Sequence, residues 1–164
     1  MDFKMKLKLL AAAGIALSTV SAYSQGRPTL VIQPFTAAQG VELPYDLKQL
    51  QAQLVADLKV QLGKDFDVSA DPPSAPQGSV YTVDGQVTGW RPGNAAKRLI
   101  VGLGSGREST DLKYWVADAA GKNVVDTKDT IRTNFYSQGA GSIGTLAHPI
   151  AQKLAERIKD AKLK

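Results

Sequence analysis

The sequence predicts a two-layer α+β sandwich within the broad α/β class, in which a mixed sheet of about five strands carries two amphipathic helices on one face. Two stripes of apolar residues recur every three or four positions, which is the period of a helix lying on a core. Shorter apolar runs bounded by glycine and proline are typical of strands. The order strand, helix, further strands, helix favours this class over a closed barrel.

The first strand and the first helix follow from the N-terminal half of the sequence. The apolar run Leu30 to Ile32 predicts a short buried strand, which Pro34 stops. We expect a helix to open at Leu43 and Pro44, because proline is tolerated in a first turn, and to end at Gly63. The apolar face of this helix comprises Leu47, Leu50, Leu54, Leu58 and Leu62.

A long strand over residues 80–90 follows a second short strand at 66–68. Gly85 and Gly89 lie within the long strand, where a missing side chain lets a helix backbone approach or marks a bulge. Strict alternation places Trp90 on the face opposite the apolar side chains, where it would cover the edge of the sheet. The apolar face of the strand comprises Tyr81, Val83 and Val87.

The C-terminal half predicts two more strands and a helix. Asp118 to Lys122 is typical of a hairpin turn between a fourth strand, with Leu112, Tyr114 and Val116, and a fifth strand. We expect Thr145 to cap the last helix and Pro149 to lie in its first turn. The fifth strand would present Val125, Thr127, Asp129, Ile131, Thr133 and Phe135 on one face, and the helix Leu146, Ile150, Leu154 and Ile158.

The N-terminus has the three regions of a secretory signal. Lysines 4, 6 and 8 precede an apolar run from Leu9 to Val20, and small residues end it at Val20-Ser21-Ala22. We therefore expect residues 1–22 to be cleaved after Ala22, leaving 23–164 as a single domain in the periplasm or secreted. An uncleaved membrane anchor is the alternative, although the run is short for a spanning helix. No cysteine follows the run, which excludes a lipid-anchored lipoprotein.

Composition excludes several classes of function. The chain has no cysteine and one histidine, so disulfides, thiolate metal sites and multi-histidine metal sites are excluded. Without residues 1–22 the chain carries 17 basic and 14 acidic residues, a net charge of only +3. The basic residues are interspersed, which argues against nucleic-acid binding. The sequence indicates no cofactor, and it does not indicate an oligomeric state.

The link between the third and fourth predicted strands is the candidate interaction site. Gly102, Gly104 and Gly106 resemble a phosphate loop only superficially, because a strand rather than a helix follows them. One alternative is an ordinary connection that is buried or forms a turn. The other is an apolar tip, flanked by basic residues, that contacts a partner or a membrane. For the second alternative the interacting residues would be Arg98, Leu99, Ile100, Leu103 and Arg107.

His148 is the one candidate for a histidine base. No G-x-S-x-G motif accompanies it, and its place beside Pro149 is typical of a surface or capping residue. The acidic residues Asp84, Glu108, Asp111, Asp126 and Asp129 are scattered over the predicted strands, where solvated faces are the commoner outcome. We therefore predict no catalytic, cofactor-binding or metal-binding residues.

Several segments together resemble the family called domain of unknown function 4410. They are residues 43–47, residues 83–89, the segment from Arg98 to Arg107 and the final amphipathic helix. Members of the family are small secreted or lipid-anchored bacterial envelope proteins, and the resemblance implies no catalytic residues. The layout is also similar to envelope accessory domains such as the N-terminal domain of TolB and the curli secretion lipoprotein. This chain departs from lipidated members because it lacks the lipobox cysteine.

These observations favour a non-catalytic envelope module that binds an envelope protein or the membrane surface and does not bind nucleic acid. The alternative is a small-ligand-binding or hydrolytic enzyme that uses His148 with nearby acids. A buried His148 within hydrogen-bonding distance of an acid and a serine would favour the enzyme.

Overall fold

The computed structural model describes residues 26–93, 108–132 and 143–163. The predicted signal segment, 1–22, lies outside the described residues. The described elements are β1 (Thr29–Ile32), β2 (Thr36–Ala37), α1 (Leu47–Leu62), β3 (Asp67–Ser69), β4 (Val80–Arg91), β5 (Ser109–Ala117), β6 (Asn123–Arg132) and α2 (Ile143–Asp160).

All six described strands belong to one mixed sheet. Its order is β3-β1-β4-β5-β6, and β2 pairs with β4 beside this path. β1 runs parallel to both β3 and β4, whereas β4, β5 and β6 form an antiparallel meander. The mixed sheet with two helices confirms the predicted α+β class, and the sheet does not close into a barrel.

Both helices pack on the same face of the sheet. The leucines of α1 from Leu50 to Leu62 are fully buried, as are Ile150 and Leu154 of α2, whereas Leu47 is only partly buried. These side chains form one core with alternate residues of the central strands, because successive side chains of a strand point to opposite faces. The strand residues in this core include Tyr81, Val83, Val87, Leu112, Tyr114 and Val116.

Both predicted helix starts were wrong. α1 begins at Leu47, where the Asp46 side chain accepts a 2.7 Å hydrogen bond from the Lys48 amide and caps the helix. α2 begins at Ile143, so Thr145 does not cap it and Pro149 lies inside the helix, beyond the first turn. Proline there removes one intrahelical hydrogen bond, which the packing of the helix against the core tolerates.

Gly85 makes room for an aromatic ring. A Cβ atom built at this position would lie 2.4–2.6 Å from three ring atoms of Phe35, which is only 2% exposed. The prediction that a helix backbone approaches at Gly85 was therefore wrong, because the Phe35 ring fills this space.

A bulge in β4 moves Trp90 to the other face of the sheet. The pairing with β5 shifts between Val87 and Gly89, so Thr88 has no directly opposite partner. Trp90 then lies opposite the buried Thr110, and directly opposite residues point to the same face. The prediction that Trp90 faces away from the core was therefore wrong, because strict alternation cannot anticipate the extra residue.

Candidate functional site

One face of the sheet carries no helix in the described part of the chain. We call the six side chains Asp84, Gln86, Lys113, Trp115, Asp126 and Lys128 on the central and outer strands the helix-free face. The register aligns Asp84, Trp115 and Asp126 in one row across β4, β5 and β6. Gln86, Lys113 and Lys128 form the next row. An aromatic ring therefore lies between two carboxylates, with an amide and two ammonium groups beside them.

Trp115 is half-buried and lies near the middle of this surface. The Nζ atom of Lys113 is positioned over its ring, 5.6 Å from the centroid, which is within the range of a cation–π interaction. Tryptophan offers a large, rigid contact area at low entropic cost, and it is among the residues most enriched at binding hot spots. The ring gives the helix-free face an apolar centre surrounded by charge.

Asp84 is a carboxylate that the fold partly desolvates. Burial raises its pKa above the usual range, and no donor among the described residues offsets this effect. A partly desolvated carboxylate beside a half-buried aromatic ring costs stability, which makes this pair a candidate binding site. Such a carboxylate is suited to a cationic or hydrogen-bond-donating group on a partner.

We expect Asp84→Asn to stabilise the protein at neutral pH. Because the folded-state pKa is raised, wild-type stability falls as the pH rises from the unfolded pKa, near 4, through the folded value, and the substitution removes this loss. The gain should be below about 1 kcal/mol, since the group is partly exposed and solvent screens its charge. Urea unfolding at pH 7 and pH 3 tests the expectation. The difference between the two proteins should vanish at pH 3, and a less stable variant at pH 7 would contradict the argument.

A network of polar side chains fixes the ends of β4 and β5. Arg91 binds Asp111 through both terminal nitrogens, at 2.8 and 3.1 Å, and its Nε donates to Ser109 at 3.0 Å. Thr130 donates to the same carboxylate at 2.6 Å. The Thr130 hydrogen bond, followed by the Arg91 guanidinium, lowers the pKa of Asp111. Three strands are thereby tied together beside the link that joins β4 to β5.

A second group of polar side chains lies on the core side of the same strand ends. Trp90 donates its indole N–H to Glu108 at 3.0 Å. The hydroxyls of Tyr45 and Thr110 are buried, and neither has a hydrogen-bond partner of good geometry among the described residues. Burial raises the pKa of Tyr45, and the nearby Thr110 hydroxyl only partly offsets it.

The five predicted interaction residues, Arg98, Leu99, Ile100, Leu103 and Arg107, lie outside the described residues. The link that contains them leaves β4 after Arg91 and enters β5 at Ser109. Because these strands are antiparallel neighbours, both ends of the link are at the same end of the sheet. The role of these residues stays a prediction.

His148 does not lie in a buried polar cleft. Its side chain is 60% exposed, and its Nδ1 is 3.7 Å from Asp57 Oδ2, beyond hydrogen-bonding distance. Its Nε2 lies 3.2 Å from the Gln152 amide nitrogen, and no serine contacts it among the described residues. The geometry therefore brings the histidine close to one acid without assembling a nucleophile, a base and an orienting group.

The other acidic residues do not assemble into a ligand set. Asp129 accepts a 2.6 Å hydrogen bond from Tyr114, Glu108 binds Trp90, and Asp111 binds Arg91. Within residues 26–93, 108–132 and 143–163, no three histidine or acidic side chains come together as metal ligands. No helix in these ranges is long and apolar enough to cross a membrane.

Sequence reasoning missed Trp115. The signal was present, because Trp115 alternates with the apolar residues Leu112, Tyr114 and Val116 and shares the spacing of Asp111 and Lys113. A tryptophan at the polar positions of a strand indicates an exposed aromatic surface. Its neighbours Asp84 and Asp126 are distant in sequence, and only the strand register brings them beside it.

The fold and its helix-free face define a small two-layer α+β domain without an assembled catalytic site in its described part. The model of the domain of unknown function DUF4410 matches residues 32–136. The chain belongs to this family, which confirms the resemblance found in the sequence. No curated protein matches the chain significantly.

The solved structures that share the fold include the following three. A Xanthomonas campestris protein that matches the family model DUF330 has a TM-score of 0.56 at 11% identity, and the alignment covers 87% of this chain and 90% of that protein's chain. An uncharacterised protein has a TM-score of 0.54 at 14% identity, covering 84% and 92%. The PelC dodecamer from Paraburkholderia phytofirmans has a TM-score of 0.52 at 16% identity, covering 80% and 89%. At these identities the likeness is one of fold alone.

Proposed function

We propose that the protein is an exported, non-catalytic module that binds an envelope protein through its helix-free face. The observation that carries the proposal is the half-buried Trp115 between Asp84 and Asp126, on the face of the sheet that carries no helix in the described part of the chain. An apolar centre with charged surroundings is the arrangement of a protein-binding hot spot. The exposed position of His148 supports a binding role over a hydrolytic one.

The export part of the proposal rests on residues 1–22. Because the basic, apolar and small-residue regions occur in the order that signal peptidase requires, we expect the mature chain to begin at Tyr23. Intact-mass measurement of the protein recovered from the periplasm or the medium tests this. Recovery from the cytoplasm alone, with residues 1–22 still attached, would contradict it.

We expect Trp115→Ala to weaken capture of the partner by at least about tenfold, as removal of a central aromatic contact does. A photo-crosslinking amino acid is placed at position 115 in the native cell, and the captured envelope protein is identified and purified. Its affinity is then measured for wild type, Trp115→Ala and Asp84→Asn. The melting temperature should change by only a few degrees, because Trp115 is half-buried outside the core.

Val60 supplies the matched control for this experiment. It is 87% exposed on α1, in the opposite layer of the molecule, so crosslinking from position 60 should not capture the same protein. Equal capture from both positions, or unchanged affinity of Trp115→Ala, would overturn the proposal. Serine at positions 99, 100 and 103 tests the link separately: loss of capture by this variant alone would assign the interaction to the link.

A further inference from the structure

β6 is an edge strand of the sheet in the described part of the chain. It is the last strand in the order of the described strands and pairs with β5 alone among them, so one side of its ten residues has no strand partner within residues 26–93, 108–132 and 143–163. The opposite edge, β3, has only three residues. A short edge is a common protection against pairing, and β6 lacks this protection.

Pairing with a second copy of β6 restricts the possible registers. Two antiparallel edge strands related by a two-fold axis perpendicular to the sheet must pair residues of the same face. The axis therefore lies midway between the two copies of one residue, which is directly opposite itself. With the axis at Thr127, Asp126 of each copy lies opposite Lys128 of the other. Val125 then lies opposite Asp129, and Thr127 lies opposite its own copy.

Charge distinguishes this register from its neighbours. An axis at Asp126 or Lys128 places identical charges opposite each other, and an axis at Asp129 does the same. An axis at Val125 gives no charged pair within the strand. Both Asp126 and Lys128 are exposed, and no described ion pair occupies either of them. Opposite charges directly across a strand pair stabilise it, whereas like charges destabilise it.

We propose that the chain forms a symmetric dimer in which β6 pairs antiparallel with β6 of a second copy, centred on Thr127. The two sheets join into one, and both pairs of helices lie on the same side of it. The helix-free faces of the two copies become continuous. The dimer does not depend on whether the helix-free face binds a partner, so the two proposals fail separately.

Charge reversal gives a sharp test with an internal rescue. Sedimentation of the mature chain, residues 23–164, should reveal a concentration-dependent dimer. Lys128→Asp and Asp126→Lys each place like charges opposite one another twice, so each should raise the dissociation constant at least roughly tenfold. The double variant Asp126→Lys with Lys128→Asp restores two opposite pairs and should recover wild-type affinity. Lys59→Asp, an exposed charge reversal on α1, controls for net charge.

The absence of cysteine from the chain allows a second, geometric test. Cysteine at position 127 would face its own copy across the axis, with Cβ atoms about 4.5–5.5 Å apart, near disulfide distance. Oxidation should therefore link Thr127→Cys into a dimer more completely than Asp126→Cys or Lys128→Cys. A chain that stays monomeric at all accessible concentrations would overturn the proposal. So would a dimer whose dissociation constant is the same in all three charge variants, or crosslinking that is not most complete at position 127.

Discussion

Gly85→Val is expected to cost about 3 kcal/mol or more in the free energy of unfolding. A Cβ atom at this position would lie 2.4 Å from the Phe35 ring, closer than any real contact, and valine adds two further carbons. The ring is 2% exposed and lies in the core, so it cannot swing into solvent. Because small domains are stable by only about 5–15 kcal/mol, the loss is a large share of the total. Urea unfolding monitored by tryptophan fluorescence measures it.

A Phe35→Ala background shows whether the clash with the ring, or a general requirement for glycine in the strand backbone, causes the loss of stability. Glycine inside a strand is itself unfavourable, so in a Phe35→Ala background Gly85→Val should be neutral or stabilising. Gly89→Ala is the control on the same strand, since the nearest atom to its Cβ would be an oxygen of the Asp111 carboxylate, at 3.0 Å, and no aromatic ring is among the nearest atoms. An equal loss from Gly85→Val in both backgrounds would mean that the backbone, and not the ring, requires glycine.

Local patterns were sufficient to predict the helices and most strands. The leucines of α1 recur at the helical period because one face of the helix is buried, and all four from Leu50 to Leu62 are fully buried. The turn at Asp118 to Lys122 is likewise encoded locally. Gly121 has a φ of 77°, and the Asp118 carboxylate accepts hydrogen bonds from two amides of the turn. Asp46 is also a typical capping residue. The predicted start of α1 was too early because it relied on the proline at position 44.

Features that depend on distant partners could not be predicted from the sequence. The role of Gly85 depends on Phe35, fifty positions earlier, and the face of Trp90 depends on a bulge in its pairing with β5. The parallel pairing of β1 with both β3 and β4 is a property of topology, which short-range periodicity does not encode. The helix-free face also depends on residues that are distant in sequence, because only the strand register brings Asp84 and Trp115 together.

Tyr114 is the largest fully buried side chain among the described residues, and its removal is the other substitution expected to have a large effect. The ring packs in the core at the centre of β5, and its hydroxyl donates a 2.6 Å hydrogen bond to Asp129. Tyr114→Ala should cost about 3–5 kcal/mol, as loss of a buried aromatic ring does. Tyr114→Phe retains the ring and should cost only about 1–2 kcal/mol, the effect of leaving one Asp129 oxygen without its donor. Urea unfolding of the two variants measures the ring and the hydroxyl separately.

The pH dependence of Tyr114→Phe isolates the hydroxyl further. Burial, followed by the hydrogen bond to Asp129 and the charge of that carboxylate, raises the pKa of Tyr114 well above its usual value of 10. The neutral phenol is therefore favoured in the folded state, so this stabilisation is complete below about pH 10 and is lost progressively as the pH rises above it. Wild type should lose stability between pH 9 and pH 11 more steeply than Tyr114→Phe. Parallel slopes for the two proteins would contradict this, because the alkaline loss would then arise from other groups, such as Tyr45, whose pKa is also raised by burial.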